Sequence, residues 1–185
     1  AHYTRGVALV MGGHFQHAQV EFRLAIDKAL HNEDSILLFN TAFYRSSLQV
    51  VAGDPRKAIR QLSALGSLRN SSSNYLVPVR FYHGLGLAQT HSGKFRLGVR
   101  TLQEACEFFP IQVSGFEKAY ATINTAWMAA TTDQVSVARE KLSEFDEMEA
   151  GKSWRLALTR LLVESALAVH DGNLDKAEAS ANRVL

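Results

Sequence analysis

The apolar pattern is clearest between Tyr82 and Pro110, where two amphipathic stretches flank the short polar turn Ser92-Gly93-Lys94. The second stretch carries apolar or small residues three or four places apart: Phe95, Gly98, Leu102 and Ala105. Residues at this spacing fall on one face of an α-helix. Proline ends such a stretch because it has no N–H to donate and disfavours helix at the preceding residue. The pattern predicts two helices joined by a tight turn.

The same unit recurs along the chain about every 40 residues, in several columns that stay in step. The turn column has spacings of 40, 40, 40 and 39: Gly13, Gly53, Gly93, Asp133 and Gly172. A column of small residues runs through the first helix of each unit: Gly6, Ser46, Gly86, Ala126 and Ser165. A second column of small residues lies in the second helix: Ala18, Ala58, Gly98, Ala138 and Ala177. Four places later the residue is mostly large and apolar: Phe22, Leu62, Leu102, Leu142 and Ala181.

Small residues at matching positions let two antiparallel helices approach closely. A single hairpin leaves half of its apolar surface bare, and stacking the next hairpin covers that half. We therefore predict an all-α fold, an α-solenoid of about five helix hairpins, and no strand. The units are expected at about 1–33, 34–73, 74–113, 114–151 and 152–185, within one repeat domain.

Local signals place several boundaries. Asp34 or Ser35 is expected to cap the first helix of the second unit, and Asp54-Pro55 to begin its second helix. The polar run 70–74 predicts a loop, and residues 111–115 predict a link between units.

Composition narrows the function only a little. The net charge of +2 and the scattered basic residues give no footprint for nucleic acid. The single cysteine, Cys106, fits a reducing compartment, so a cytoplasmic protein is expected. The sequence contains no apolar run of the ~18–20 residues that a membrane span needs, and no signal peptide pattern. The chain starts without Met and ends inside a helical pattern, so we expect a fragment of a longer protein.

The motif Tyr82-x-x-Leu85-Gly86, followed by Gly98-x-x-x-Leu102 and Pro110, resembles the tetratricopeptide repeat, as does Gly13-His14-Phe15 with the residues after it. Some positions depart from the family pattern: Gln89 replaces an aromatic residue, and the large residue before the small one is replaced by Arg5, Arg45, Thr125 and Glu164. The long period is similar to that of the sensor arms of bacterial LuxR-type regulators of the maltose-activator class and of related signalling ATPases. The resemblance implies a right-handed superhelix that binds an inducer or an inhibitory protein, with the ATPase and helix-turn-helix in separate domains. Neither a Walker A motif nor a recognisable helix-turn-helix is found in the sequence.

In that family the first helices of the repeats line a concave groove. Transferred to this chain, the groove positions are Asn40, Phe43, Tyr44, Ser47, Arg80, His83, Leu87, His91, Tyr120, Ile123, Asn124 and Trp127. Aromatic rings with a few amides and cations suit a peptide, a partner helix or a small polar ligand. The alternative is that Phe43, Tyr44 and Trp127 only pack between neighbouring helices. The positions that would form a carboxylate clamp for chaperone tails hold Tyr3, Val7, Tyr44, Arg80 and Gly84, which disfavours that clamp because only Arg80 matches in charge.

The sequence gives little indication of a metal site or of a catalytic cysteine. The pairs His14/His17 and His83/His91 lack the further ligands that zinc needs, and Cys106 is interpreted as a buried structural residue. We therefore expect a non-enzymatic protein–protein interaction module without metal or cofactor, which contacts neither nucleic acid nor membrane. The alternatives are a sensor arm for a small-molecule effector or inhibitor, and a structural or homo-oligomerising spacer.

Overall fold

The computed structural model describes residues 1–70, 73–110, 115–149 and 154–183, and these residues form an all-α structure. The helices are α1 (His2–Met11), α2 (Phe15–His31), α3 (Ser35–Val51), α4 (Pro55–Ala64), α5 (Leu76–His91), α6 (Phe95–Glu107), α7 (Phe116–Thr131), α8 (Val135–Asp146), α9 (Trp154–His170) and α10 (Leu174–Asn182). A short 3-10 helix covers Gly66–Asn70. Of the helices described, none is both long and apolar enough to cross a bilayer.

The five predicted turn residues all adopt the left-handed backbone conformation. Their φ angles are 75° at Gly13, 82° at Gly53, 87° at Gly93, 62° at Asp133 and 72° at Gly172. In each turn the amide of the following residue donates to a carbonyl five positions earlier, at 2.8 to 3.0 Å. This is the hydrogen bond of a Schellman motif, in which glycine is favoured because a side chain crowds the left-handed conformation. The turns predicted from the 40-residue columns are therefore confirmed.

The small-residue columns mark the points at which the two helices of a hairpin approach each other. A Cβ atom added at Gly6 would lie 2.5 Å from the Phe22 ring. A Cβ atom at Gly86 would lie 2.7 Å from Cγ of Leu102, and one at Gly98 would lie 2.8 Å from the carbonyl oxygen of Gly86. No side chain fits at such distances without displacing its neighbour, so these glycines are required by the packing.

The first compact unit covers Ala1–Phe108 and contains α1 to α6. Each of its helices packs on the next, and α3 also packs on α1 and on α5. One part of its core lies between α2, α3, α4 and α5, around Phe39, Leu62 and Phe81. Another lies between α1, α2 and α3, around Phe22 and Leu48. Within this unit the first hairpin thus shares its apolar face with the second, and the second shares its own with α5.

The second compact unit covers Phe109–Leu185 and contains α7 to α10. Helix α7 packs on α8 and on α9, and α9 also packs on α8 and α10. His170 at the end of α9 lies 3.0 Å, through Nε2, from the carbonyl oxygen of Ala130 in α7, forty positions earlier. The unit therefore repeats the hairpin arrangement seen in the first.

The predicted helix caps are present. Asp34 and Asp54 each accept a hydrogen bond from the amide three residues later, at 2.9 and 3.0 Å, as expected of N-cap residues.

The structure differs from the sequence-based expectation at two residues. Asn70 closes the 3-10 helix instead of opening a loop, and Cys106 is half-buried. Residues 71–72 and 111–114 of the predicted loop and link, and the unit boundaries near 113 and 151, lie outside the described residues.

The contact between Gly98 and Gly86 gives a direct test of the close approach. We expect Gly98→Ala to lower the free energy of unfolding by about 1–3 kcal/mol, as overpacking does elsewhere. The new methyl group would lie 2.6 Å from the backbone nitrogen of Thr90, which cannot move aside as a side chain can. Urea denaturation followed by circular dichroism measures the change.

Gly66→Ala is the matched control, because a Cβ atom there meets nothing closer than 3.7 Å. If both variants are equally stable, the close approach of α5 and α6 is not what restricts position 98 to glycine.

Candidate functional site

Five of the side chains on α1, α3 and α5 form a connected group, which we call the tyrosine–arginine cluster: Tyr3, Asn40, Phe43, Tyr44 and Arg80. Asn40 and Arg80 occupy the same position in successive units, forty residues apart. Except for Phe43, which is buried, the members are half-buried and so reach the surface. The repeat therefore places polar and aromatic groups from three helices side by side.

Arg80 is the charged centre of the cluster. Its Nε donates to Oδ1 of Asn40 at 3.1 Å, and its guanidinium carbon lies 5.0 Å from the centre of the Phe43 ring. The ring face attracts the cation, and the hydrogen bond fixes the direction of the guanidinium plane. Among the described residues, no carboxylate lies within ion-pair distance of Arg80. The cluster therefore holds an oriented positive charge that no carboxylate of the described residues neutralises.

The two tyrosines provide hydroxyl groups close to this charge. The Tyr3 and Tyr44 rings meet edge to face with centroids 5.9 Å apart, and Phe22 stacks beneath Tyr44 at 6.1 Å. Burial and the neighbouring Tyr44 raise the pKa of Tyr3, while the charge of Arg80 acts in the opposite direction. A raised pKa keeps the phenol protonated, so the hydroxyl remains a hydrogen-bond donor. The cluster thus combines a cation with neutral donors.

His83 supports the cluster from inside. Its ring centroid lies 5.2 Å from that of Phe43, and the residue is 1% exposed. Burial, and secondarily the charge of Arg80, lower the pKa of His83 to about 3. The imidazole is therefore neutral at ordinary pH, because both effects disfavour its charged form. Phe43 and His83, both predicted to line the groove, are buried; the Phe43 ring contacts the guanidinium group of Arg80, and His83 packs against Phe43.

The remaining predicted residues are spread over both units. In the first, the hydroxyl of Ser47 donates to the carbonyl oxygen of Phe43 at 3.0 Å, Leu87 is half-buried and His91 is exposed. In the second, Tyr120, Asn124 and Trp127 are half-buried on α7, while Ile123 is fully buried. That these residues contact a ligand stays a prediction.

The structure adds Tyr3 to the predicted set. Tyr3 occupies the position of Phe43 and His83 one unit earlier in the repeat. The column was therefore visible in the sequence, although only the second, third and fourth units were used to predict the groove.

No protein-family model, curated protein or solved structure matches this chain. In the part of the chain that the structure describes, no group of three or more His, Cys, Asp or Glu side chains could hold a metal ion. The function is therefore inferred from the side-chain chemistry of the cluster.

The buried imidazole predicts a pH dependence of stability. The folded state keeps His83 neutral down to a pKa of about 3, whereas the unfolded chain binds the proton near the ordinary histidine pKa of 6.5. The unfolded state therefore holds more protons between these values, and acidification lowers the free energy of unfolding there by up to roughly 1.4 kcal/mol per pH unit. Above pH 6.5 the imidazole is neutral in both states, so it no longer lowers the free energy of unfolding. Chemical denaturation at intervals from pH 7.5 to about pH 4.5 measures this slope.

His83→Gln should flatten this slope, whatever its effect on stability at neutral pH, because the titrating group is gone. His31→Gln, which changes an exposed histidine, should leave the slope as in the parent protein. Equal slopes in all three proteins would contradict the buried neutral state.

Proposed function

We propose that this chain is a helical-repeat module of the tetratricopeptide type, whose tyrosine–arginine cluster binds an extended segment of a partner protein. The main support for this proposal is the half-buried Arg80, which is oriented by Asn40 and Phe43 and has no carboxylate partner among the described residues. An interaction module needs such preorganised, uncompensated groups at its surface, since their binding partners come from elsewhere.

The packing within each unit supports the repeat interpretation. In the first unit α3 packs on α1 and α5, and in the second α7 packs on α9, so the first helices of neighbouring hairpins are in contact. Within the units the second helix of a hairpin also packs on the first helix of the next: α2 on α3, α4 on α5 and α8 on α9. Nearest-neighbour contacts of this kind are typical of solenoids. The right-handed superhelix expected from the family resemblance remains part of the proposal.

The charge of the cluster selects the occupant. A guanidinium group with free donors pairs best with a carboxylate. The hydroxyls of Tyr3 and Tyr44 hydrogen-bond to each other, which leaves one hydroxyl donor beside the guanidinium group. The aromatic rings around Arg80 suit the apolar part of a peptide side chain. We therefore propose a partner segment that presents an aspartate or glutamate side chain to Arg80 and an apolar side chain to the tyrosines.

Two other functions remain predictions, the sensor arm of a transcription regulator and the oligomerising spacer. The cytoplasmic location also remains a prediction. The test below separates the first two from partner binding.

An array of immobilised random peptides, probed with the whole chain, tests the proposed occupant. We expect the bound peptides to be enriched in aspartate and glutamate next to an apolar residue. For a selected peptide, Arg80→Gln should weaken binding about ten- to a hundredfold, because a hydrogen bond to a charged group contributes about 1.5–3 kcal/mol. Fluorescence anisotropy of the labelled peptide measures the affinity.

Arg100→Gln is the matched control, since Arg100 is an exposed arginine of the same unit that pairs with Glu104 on α6. An equal loss in both variants would show that only net charge matters and would reject the cluster. Absence of any selected peptide, together with elution at twice the monomer mass, would favour the spacer. Stabilisation by a metabolite without peptide binding would favour the sensor arm.

A further inference from the structure

A second feature of the first unit lies among α2, α3 and α4. These helices enclose a cavity of about 180 Å³. Five of its lining residues are apolar: Ile26, Ala42, Leu62, Ala64 and Leu65. Ala64 is exposed, so the cavity reaches the surface at that residue. None of its lining residues belongs to the tyrosine–arginine cluster.

Two polar residues complete the lining, Arg45 and Gln61. The Nε atom of Arg45 is shielded from solvent and has no hydrogen-bond partner among the described residues. The carboxamide oxygen of Gln61 accepts from Nε2 of Gln49 at 2.6 Å. This bond leaves the amide group of Gln61 to act as a donor. Because Nε is shielded, the donors left to a ligand are the terminal guanidinium nitrogens of Arg45 and the amide group of Gln61, on an otherwise apolar wall.

The charge on Arg45 is poorly compensated. Burial lowers the pKa of Arg45, the neighbouring Arg23 lowers it further, and only Asp27 acts in the opposite direction. Within the described ranges, Arg45 forms no ion pair with a carboxylate. A cation removed from water without a partner is destabilising. An anion in the cavity would relieve that cost.

Arg45 stands immediately before the small residue Ser46 in the repeat pattern. The equivalent positions of the other units hold Arg5, Leu85, Thr125 and Glu164, so the repeat accepts polar residues there. What sets Arg45 apart is the cavity that it lines.

We propose that this cavity binds a small organic carboxylate, with the carboxylate on Arg45 and Gln61 and an apolar body against the leucine and isoleucine side chains. The size of the cavity sets the upper limit on the ligand. An engineered apolar cavity of ~150 Å³ holds a molecule of benzene, so a cavity of about 180 Å³ holds a body of that size with its carboxylate at the polar wall. Two donors, with Asp27 nearby but no carboxylate of the described residues in ion-pair contact with Arg45, favour the anion over a neutral molecule of the same shape.

The test uses benzoate as the probe and benzamide, its neutral counterpart of nearly the same shape, as the control ligand. The Nε–Hε resonance of Arg45, identified by its loss in Arg45→Lys, reports on the site by nitrogen–proton NMR of the whole chain. We expect benzoate to shift this resonance in a saturable way, and benzamide to bind about ten- to a hundredfold more weakly, as expected for the loss of a hydrogen bond to a charged group. Acetate, which lacks the apolar body, should also bind more weakly than benzoate.

Two variants separate the pocket from a general effect of charge. Arg45→Met should abolish benzoate binding while leaving the fold intact, because it removes a desolvated charge and keeps most of the volume. Ala64→Leu should block binding by filling the rim, without altering any charge. Arg23→Gln keeps the cavity and should reduce binding only slightly.

The proposal is overturned if benzoate leaves the Arg45 resonance unchanged at millimolar concentration. It is also overturned if benzamide binds as tightly as benzoate, since the negative charge would then play no part in recognition. Equally tight binding of inorganic phosphate would overturn it too, since the apolar body would then play no part. Persistence of benzoate binding in Ala64→Leu would show that the anion binds outside the cavity.

Discussion

The structure depends on the close approach of the two helices in each hairpin. At Gly86 and Gly98 this approach is so close that backbone meets backbone, since a Cβ atom at Gly98 would lie 2.8 Å from the Gly86 carbonyl oxygen. A backbone contact cannot be relieved by a change of rotamer, so it fixes how far one helix can slide or rotate against the other. The left-handed glycine at the turn adds a second fixed point, because it sets the direction in which the chain reverses.

Fixed hairpins make the contacts between hairpins repeat as well. The hydrogen bond from Arg80 to Asn40 joins residues forty positions apart in the first unit, and the contact of His170 with Ala130 does the same in the second. Neither contact resembles the other chemically. What they share is geometry: equivalent or adjacent positions on neighbouring first helices lie next to each other when the hairpins stack in register. Asn40 and Arg80 are equivalent, whereas the 39-residue spacing in the second unit makes Ala130 the neighbour of the residue equivalent to His170. A surface built in this way brings residues together in columns, so each exposed column can carry its own chemistry while the buried columns keep the fold.

The difference between buried columns, which keep the fold, and exposed columns, which vary in chemistry, explains how far the sequence could predict the structure. The turns and the small-residue columns were predictable because each is imposed by one local requirement, either a left-handed φ angle or the absence of a side chain. The depth of a side chain on the exposed face was not predictable in the same way. Phe43 and Tyr44 are adjacent in sequence, yet Phe43 is 4% exposed and Tyr44 is half-buried, because depth depends on the sizes of the neighbours supplied by α1 and α5. The cavity beside Arg45 was invisible for a related reason, since the volume left between three helices is set by all their side chains together.

The two arginines show what the repeat pattern tolerates. Arg80 lies on the half-exposed face, where Asn40 and the Phe43 ring stabilise it while water still reaches the guanidinium group. Arg45 loses part of its hydration without gaining an ion pair within the described residues. For a fold stabilised by only about 5–15 kcal/mol, an uncompensated charge of the second kind is a substantial burden. A leucine would pack against Leu62 and Leu65 without that burden. Polar residues also occupy the equivalent position in other units, as Arg5, Thr125 and Glu164 show, so the repeat itself accepts them. Arg45 differs in lining a cavity, in which an anion would relieve the cost of its lost hydration.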